Sequence, residues 1–318
     1  MRILIIYPEV SGLKNGNVVT VERWQQILVE LGHTVEIATA FHSDCVVPNL
    51  MIALHAVKSS RSIENCRAAF AAVPIIVVLT GTDIYDVQFR AVVDGMLDLA
   101  DRIVVLQNAT AEDVDPKHRD KVRVIYQAIA PMNGVYEKSG DHFEVCVVGH
   151  LRQVKDPFQI ACATNDLPLK SKIRVTQIGA ALSDEMRATA EHYANVNARY
   201  RWIGEITREA ARERIARSHL LVNSSIIEGG AAVICEAIVA ATPILATRIA
   251  GNVGFLGEDY DGLFEVGATE QLRNMLLSAE SRPEFYQRLK DQCESRKVLF
   301  DPRFERLQWA ELVKAFDR

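Results

Sequence analysis

The sequence predicts an α/β protein built from two Rossmann-like, doubly wound domains. Short apolar runs alternate with segments of helical spacing, as in RILIIY, TVERWQQILVELG and TVEIAT at the start of the chain. Strand, helix and strand in this order indicate a parallel sheet with helices on both faces. The pattern restarts at FEVCVVGH, after the polar stretch PMNGVYEKSGDH, and this restart indicates a second domain of the same class.

The strands of the N-terminal half are predicted from short runs rich in Ile, Val and Leu. In order they are RILIIY, TVEIAT, LMIALH, IIVVLTG, RIVVLQ and VRVIYQ. The first helix presents one apolar face through Trp24, Ile27, Leu28 and Leu31, and Gly32 supplies its stop signal.

The C-terminal half shows the same alternation and ends in helices. Its strand-like runs are FEVCVVGH, KIRVTQIG, RYRWIG, HLLVNS and PILATR, and a helical region begins near Thr269. A last helix is predicted for DPRFERLQWAELVKAF, with Asp301 and Pro302 as its start signal.

These patterns divide the chain into an N-terminal domain at residues 1–138 and a C-terminal domain at 139–301. The last helix, 302–318, follows them, and packing back on the N-terminal domain is one arrangement open to it. Ligands of doubly wound sheets bind at the carboxyl ends of the strands. We therefore expect the active site in the cleft between the two domains.

The composition argues against nucleic-acid and membrane partners. The 318 residues have a net charge of −5 and a pI near 5.9, so no broad positive field is present to bind a polyanion. No window has the roughly 20 apolar residues of a membrane span, and the opening MRILIIYPEV is shorter than a secretory signal. Six cysteines lack a Cys-x-x-Cys pair and eight histidines lack ligand spacing, which predicts reduced thiols and no metal site. We expect a cytoplasmic protein.

Two carboxylates, Glu228 and Glu236, bound the glycine-rich segment EGGAAVICE, which follows the strand-like run HLLVNS closely. The residues after Glu228 are Gly229, Gly230, Ala231 and Ala232. They would leave free N–H groups at a helix start, which is an anion site. Helix geometry sets the carboxylates roughly 10 to 12 Å apart, which matches the span between the sugar and ribose hydroxyls of a nucleotide diphosphate sugar. Two solvated glutamates, one an ordinary charge near a helix start, are the alternative.

EGGAAVICE followed by TPILATRIAG resembles the donor-binding motif of GT-B glycosyltransferases of family 4. In that family the first Glu contacts the donor hexose and the second contacts the ribose, so the resemblance implies these roles for Glu228 and Glu236. The segment VVGHLRQVKDPF is similar to the family's Gly-Arg-Leu-x-x-x-Lys segment, whose Arg and Lys neutralise the donor diphosphate as it leaves. Lys155 falls on the Lys position. His150 stands at the Arg position, and Arg152 is the candidate that replaces the missing charge.

The chain departs from the family pattern a second time after the run PILATR. Gly251 and Asn252 stand where the family commonly has Gly-Gly, so the loop after this strand is altered.

The loop SGLKNGNVVT leads from the first strand of the N-terminal half into a helix. It is not G-x-G-x-x-G, which argues against a dinucleotide site. The family places a glycine loop here, facing the donor phosphates and the acceptor, so the resemblance implies that Gly16 contacts the donor. The polar candidates for the acceptor are Lys14, Asn15, Asn17 and Thr20. Taken singly, each of them also suits a turn or a helix cap.

Polar groups also follow two later strands of the N-terminal half, in IALHAVKSSRS and VVLTGTDIY. They are His55, Lys58, Thr80, Thr82 and Asp83. At the carboxyl ends of parallel strands these groups would line the same cleft, and they suit a small anionic acceptor. His55 by itself is equally consistent with a packed histidine.

Several longer strings, among them KNGNVVTVERW, IALHAVKSSRSI, GHLRQVKDP and GNVGFLGEDYDG, resemble the selenosugar synthases of selenoneine biosynthesis. The similarity runs over nearly the whole chain. It implies transfer of the sugar of UDP-GlcNAc or UDP-glucose to selenophosphate, and passage of the product to a C–Se bond-forming enzyme of that pathway. We place the base of the UDP against the backbone of Gly204, Glu205 and Ile206.

No cofactor is expected, since Lys and Arg can neutralise a diphosphate in place of Mg²⁺. Three other functions stay open from the sequence. They are a family 4 glycosyltransferase acting on a hydroxyl acceptor, a UDP-sugar epimerase of related architecture, and a non-catalytic protein that binds sugar nucleotides.

Overall fold

The computed structural model describes residues 1–8, 16–132 and 134–317 and divides the chain into two units. The first comprises Met1–Ala128 and Asp301–Arg318, and the second comprises Ile129–Phe300. The polar stretch before FEVCVVGH belongs to the second unit, so the division lies earlier than the 138/139 boundary inferred from the sequence. The stretch is bonded there: Ile129 N donates to Phe300 O, and Lys138 Nζ donates to the Tyr286 hydroxyl.

The first unit contains a six-stranded parallel sheet. Its strands are β1 (Arg2–Ile6), β2 (Thr34–Ala38), β3 (Leu50–Leu54), β4 (Ile75–Leu79), β5 (Arg102–Val105) and β6 (Val122–Val124). They are arranged in the order β2-β1-β3-β4-β5-β6. Because β2 lies on one side of β1 and the later strands lie on the other, the sheet is doubly wound.

Helices cover both faces of this sheet. They are α1 (Gly16–Glu30), α2 (Ser60–Ala69), α3 (Thr82–Tyr85), α4 (Arg90–Leu99) and α5 (Asn108–Asp113), with 3₁₀ turns at Val87–Phe89 and Pro116–Lys121. Successive side chains of a strand point to opposite faces. Ile3 and Ile5 accordingly pack with Trp24 of α1, whereas Leu4 packs in the other core cluster with Met96 of α4. Burial on both faces explains why the strands read as continuous apolar runs.

The second unit repeats this architecture with the order β12-β11-β10-β7-β8-β9. Its strands are β7 (Phe143–Val148), β8 (Ile173–Ile178), β9 (Tyr200–Trp202), β10 (Leu220–Asn223), β11 (Ile244–Thr247) and β12 (Leu263–Phe264). Its helices are α6 (Gln159–Asn165), α7 (Asp184–Val196), α8 (Arg208–Arg217), α9 (Ala232–Val239), α10 (Ala250–Leu256), α11 (Thr269–Ser281) and α12 (Pro283–Arg296), with 3₁₀ turns at Gln153–Lys155 and Lys297–Phe300. The predicted fold class, two doubly wound parallel-sheet domains, is confirmed. In the described part of the chain, no helix combines the length and the apolar character that crossing a bilayer requires.

The C-terminal helix α13 (Pro302–Lys314) belongs to the first unit. Asp301 caps it by accepting a hydrogen bond from Arg303 N. Trp309 packs edge-on against Trp24 of α1, with ring centroids 4.8 Å apart. The sequence left the position of this helix open, and the structure places it on α1.

Glu305 is the polar centre of the contact between α13 and α1, and it is 0% exposed. Its carboxylate accepts hydrogen bonds from Arg23 Nε at 2.9 Å, from Trp24 Nε1 at 2.7 Å and from Ala128 N at 3.0 Å. A buried carboxylate is stabilised only when its oxygens are paired in this way. One side chain therefore joins α13, α1 and the end of the segment after β6.

Replacing Glu305 by Ala should lower the free energy of unfolding of the first unit by roughly 3 kcal/mol, because Arg23, Trp24 and Ala128 lose their acceptor. Denaturant unfolding followed by tryptophan fluorescence measures this change, since the indole of Trp24 is bonded to the substituted side chain. Glu311→Ala, on the exposed side of α13, is the matched control and should change the free energy by less than about 0.5 kcal/mol. Equal effects of the two substitutions would contradict the structural role of Glu305.

Candidate active site

The carboxyl ends of β7 and β10 mark the place where the strand order of the second sheet reverses. β8 and β9 lie on one side of β7 and β10 lies on the other. The loops that follow β7 and β10 are joined by hydrogen bonds: the Ser224 hydroxyl donates to Lys155 O at 3.1 Å and to Asp156 O at 2.8 Å, and Ile226 N donates to Val154 O at 2.8 Å. Sheets of this class bind ligands at such a reversal.

Lys155 and Glu228 form an ion pair where these two loops meet, between Lys155 Nζ and Glu228 Oε1. The Ser225 hydroxyl donates to the same carboxylate oxygen at 3.2 Å. Burial lowers the pKa of Lys155, and the charge of the neighbouring Arg152 guanidinium lowers it further. The loops thus hold a positive charge that burial disfavours, and an incoming anion would stabilise it further.

The segment after β11 supports the Glu228 loop. Thr247 Oγ1 donates to Ser225 O at 2.5 Å, and Asn252 Nδ2 donates to Thr247 Oγ1 at 3.0 Å and to Thr247 O at 2.9 Å. Gly251 lies directly against the Glu228 carbonyl, where a Cβ atom would collide with it. Glycine is therefore required at 251. Asn252, at the family's second glycine, is fully buried and makes bonds that a glycine cannot make.

The helix α9 begins at Ala232, directly after residues 229–231, and no side chain caps its first turn. The first N–H groups of an α-helix have no partner within the helix, and the helix dipole adds partial positive charge there. Glu228, the ion-pair partner of Lys155, precedes this start in the chain. The helix start and the ammonium group together provide donors and positive charge for an anion.

Glu236 lies in the interior of α9 and is 7% exposed. Arg208 Nε, on α8, donates to Glu236 Oε1 at 2.9 Å. Burial raises the pKa of Glu236, while the charge and hydrogen bond of Arg208, and then the charge of Arg212, act in the opposite direction. The sequence analysis did not identify Arg208, because the pair joins two helices and no short spacing signals it.

The loop predicted to hold the base lies between β9 and α8. Gly204 has a φ of 74°, in the left-handed region that favours glycine, and its carbonyl accepts a hydrogen bond from Gly179 N at 2.7 Å. Glu205 is exposed and Ile206 is half-buried. Since α8 begins at Arg208, this loop leads directly to the side chain that pairs with Glu236.

His150 and Arg152 both follow β7, but their surroundings differ. His150 Nδ1 accepts a hydrogen bond from Ala180 N at 3.2 Å, so this nitrogen carries no proton and is bound to the backbone of the loop after β8. Arg152 is exposed and forms no ion pair with any residue in the described ranges. Of the two, Arg152 is the one that carries an available positive charge.

Four of the predicted donor-binding and acceptor-binding residues are described in part or not at all. Lys14 and Asn15 lie outside the described residues, and Gly16 and Thr82 are described by their backbone alone. Gly16 is the first residue of α1, and Thr82 is the first residue of α3.

Two further members of the predicted set lie on α1. Asn17 is half-buried in the first turn of the helix. Thr20 is buried, and its hydroxyl accepts a hydrogen bond from Gln127 Nε2 at 3.1 Å. The Thr20 hydroxyl is therefore hydrogen-bonded to another residue of the first unit.

Asp83 ties together the loops that follow β3 and β4. Its carboxylate is 0% exposed and accepts hydrogen bonds from Ala56 N at 3.0 Å, from Thr80 N at 3.0 Å and from Gly81 N at 2.7 Å. This corrects the expectation that Asp83 binds the acceptor, because main-chain donors occupy its oxygens and solvent does not reach them. Its structural role is to hold the two loops together.

His55 lies on the first of these loops and is also buried. It has a φ of 67°, its Nδ1 accepts a hydrogen bond from Lys58 N at 3.3 Å, and the same nitrogen lies 3.8 Å from Asp83 Oδ2. Burial lowers the pKa of His55, and the Asp83 carboxylate opposes this shift. Lys58 is exposed and Thr80 is half-buried, so these two remain accessible at this edge of the first sheet.

A family model and a curated relative each match part of the chain. Residues 132–296 match the family described as "Glycosyl transferases group 1". The Xenopus tropicalis "Glycosyltransferase 1 domain-containing protein 1" is 32% identical over 140 residues, which cover 43% of this chain. The matched segment spans only 40% of the length of that relative.

Solved structures resemble the chain over almost its whole length. Anabaena HepE in complex with UDP and glucose is 15% identical, with 99% of this chain and 100% of that chain covered and a TM-score of 0.75. The sucrose-phosphate synthase of Thermosynechococcus elongatus is also 15% identical, with 99% and 98% covered and a TM-score of 0.81. At such identities the likeness shows the fold, and the GT-B fold implied by the resemblance is confirmed.

Replacing Gly251 by Ala should destabilise the second unit by roughly 1 to 3 kcal/mol, because the added methyl group meets the Glu228 carbonyl and the loop has to move. Denaturant unfolding measures the loss, and a crystal structure of the variant should show Glu228 displaced. Gly95→Ala is the matched control, since its Cβ would meet no atom within 4 Å, and it should stabilise α4 by about 0.5 to 1 kcal/mol. An unmoved Glu228 in the Gly251 variant would contradict the close approach.

Proposed function

The chain belongs to the group 1 glycosyl transferases, and we propose that it transfers the sugar of a UDP-sugar to selenophosphate. The observation that carries the proposal is the contact of Lys155 with Glu228 at an uncapped helix start, with Glu236 farther along the same helix. This arrangement offers positive charge for a diphosphate between two carboxylates that can accept hydrogen bonds from hydroxyl groups. HepE, which has a similar fold, was solved with UDP and with UDP-glucose, and this supports a UDP-sugar as the donor.

Each part of the donor has a matching group in the second unit. We assign the sugar hydroxyls to Glu228, the ribose hydroxyls to Glu236 and the base to the backbone of residues 204–206. The diphosphate lies on Lys155, Arg152 and the start of α9. Arg152 suits this role because its guanidinium is exposed and pairs with no described residue.

In the proposed reaction the selenium of selenophosphate attacks the anomeric carbon of the sugar. A C–Se bond forms while the bond from that carbon to the UDP oxygen breaks, and UDP leaves with the electron pair. Lys155 and Arg152 stabilise the charge that develops on the leaving diphosphate, and stabilisation of this kind is commonly the largest contribution to transfer catalysis. Selenophosphate is already ionised, so no general base has to remove a proton from it.

The acceptor proposal has two supports. Strings such as IALHAVKSSRSI and GHLRQVKDP resemble the selenosugar synthases, and a small dianion requires compact positive charge and hydrogen-bond donors. We assign Lys58 and Thr80 to selenophosphate, because both are accessible on loops that Asp83 holds together. The product would supply a C–Se bond-forming enzyme of selenoneine biosynthesis.

Release of UDP should depend on the acceptor, because the donor bond breaks as the C–Se bond forms. The measurement incubates the protein and UDP-GlcNAc or UDP-glucose with selenophosphate, with thiophosphate, with simple alcohols or with no acceptor. We expect release with selenophosphate and little without an acceptor, and Lys155→Ala should lose most of it.

The other outcomes of this assay each point to a different function. Release that requires an alcohol identifies a conventional glycosyltransferase. A changed sugar on intact UDP without any acceptor identifies an epimerase. Saturable binding of the UDP-sugar without UDP release identifies a binding protein. Each of these three results would overturn the selenophosphate proposal.

The two glutamates should have separable effects on binding, because they are assigned to different parts of the donor. Glu236→Ala should weaken UDP itself by roughly tenfold, which corresponds to the loss of a hydrogen bond to a charged group. Glu228→Ala should weaken the UDP-sugar more than it changes UDP, because Glu228 is assigned to the sugar, which UDP lacks. Isothermal titration of both ligands measures the difference, and equal effects of the two substitutions on UDP would disprove the division of roles.

A further inference from the structure

We propose that Arg208 is a positioning residue for the donor nucleotide, which acts by holding one oxygen of the Glu236 carboxylate and leaving the other for the ribose hydroxyls. The inference rests on the proposed function, because Glu236 must bind ribose for Arg208 to act through it. It adds a residue outside the motif that carries the family resemblance, and it makes the ribose site depend on two helices, α8 and α9.

The two oxygens of the Glu236 carboxylate differ in their hydrogen bonding. Oε1 accepts the hydrogen bond from Arg208 Nε at 2.9 Å, and Oε2 accepts none from the residues that the structure describes. The side chain of Glu236 is 8% exposed and that of Arg208 is 42% exposed, so the pair lies at the edge of the buried region. A ligand can reach this edge, and the bond to Arg208 fixes how the free oxygen is directed.

Charge is the second contribution of Arg208. Within the described ranges, the charged groups that act on the Glu236 carboxyl are Arg208 and Arg212, and both lie on α8. Arg212 also donates to Ala130 O, so part of its guanidinium is committed elsewhere. Because burial alone raises the pKa of Glu236, Arg208 is the main group that keeps the carboxylate ionised. An ionised carboxylate accepts stronger hydrogen bonds from hydroxyl groups than its protonated form.

The position of Arg208 in the chain ties the ribose site to the base site. Thr207 caps α8 by accepting a hydrogen bond from Ala210 N at 3.2 Å, so Arg208 is held in the first turn of this helix. The loop 204–206, to which we assign the base, immediately precedes this cap. The segment 204–208 thus contains both the proposed base contact, at 204–206, and Arg208, the partner of Glu236.

The test compares the affinities for UDP and for 2′-deoxy-UDP, measured by titration calorimetry on the whole protein. The wild type should bind UDP roughly tenfold more tightly than 2′-deoxy-UDP, as expected for one hydrogen bond to a charged group. Arg208→Gln should lose most of this discrimination, and Arg208→Lys, which keeps the charge, should retain part of it. Arg214→Gln, an exposed position on the same helix, is the control for removing one positive charge and should behave as the wild type.

A second measurement separates action through Glu236 from direct contact with the nucleotide. In a Glu236→Gln background, Arg208→Gln should have no further effect on the ratio of the two affinities. The pH dependence should shift as well: without Arg208 the pKa of Glu236 is higher, so on acidification the affinity for UDP should begin to fall at a higher pH than in the wild type.

Three results would overturn the inference. Discrimination that persists unchanged in Arg208→Gln shows that Arg208 does not position Glu236. An equal loss of affinity for both nucleotides, still present in the Glu236→Gln background, shows that Arg208 contacts the diphosphate instead. If the wild type binds neither nucleotide, the proposed function fails, and the role of Arg208 fails with it.

Discussion

The carboxyl ends of β7 and β10 lie side by side, and the properties of the candidate site depend on this adjacency. Two loops that are distant in sequence become neighbours, and the bonds from Ser224 to the carbonyls of Lys155 and Asp156 hold them in register. The Lys155 ammonium is thereby brought against the Glu228 carboxylate, in surroundings where neither charge would be stable alone. An anionic ligand would meet a side chain that is already held in position, so little reorganisation would be needed on binding.

The chain keeps this arrangement while departing from the pattern of the family that it resembles. A histidine at position 150 cannot supply the permanent charge of an arginine, and its Nδ1 is bound to Ala180 N. Arg152, which we propose as the replacement for the missing charge, is exposed and lies on the same loop. Asn252 is buried and donates a hydrogen bond to the Thr247 hydroxyl. That hydroxyl in turn donates to the carbonyl of Ser225, in the loop that carries Glu228. The departure at 252 therefore changes how the Glu228 loop is supported.

Sequence reasoning identified the features that depend on local pattern. The parallel strands follow from continuous apolar runs. Glu228 and Glu236 are proposed from the spacing in EGGAAVICE, and Lys155 is proposed from the resemblance of VVGHLRQVKDPF to a family segment. Sequence reasoning missed the features that depend on long-range pairing. Arg208 on α8 pairs with Glu236 on α9. The Asp83 carboxylate accepts hydrogen bonds from main-chain N–H groups, which the residue types in the sequence cannot indicate. The domain boundary lies earlier in the structure than in the sequence-based division for a similar reason. The residues after Ala128 form hydrogen bonds within the second unit, and their polar, turn-rich composition does not reveal this.

The contact of α13 with α1 has a consequence for the order in which the chain folds during synthesis. The core cluster around Trp24 is completed by Trp309, Leu312 and Val313, which leave the ribosome after every residue of the second unit. Until then this face of the first sheet is covered by α1 without α13, and the donors of Arg23 and Trp24 lack the Glu305 carboxylate. The second unit is made later, but it is continuous in sequence and can finish folding before the core of the first unit is completed by the last helix.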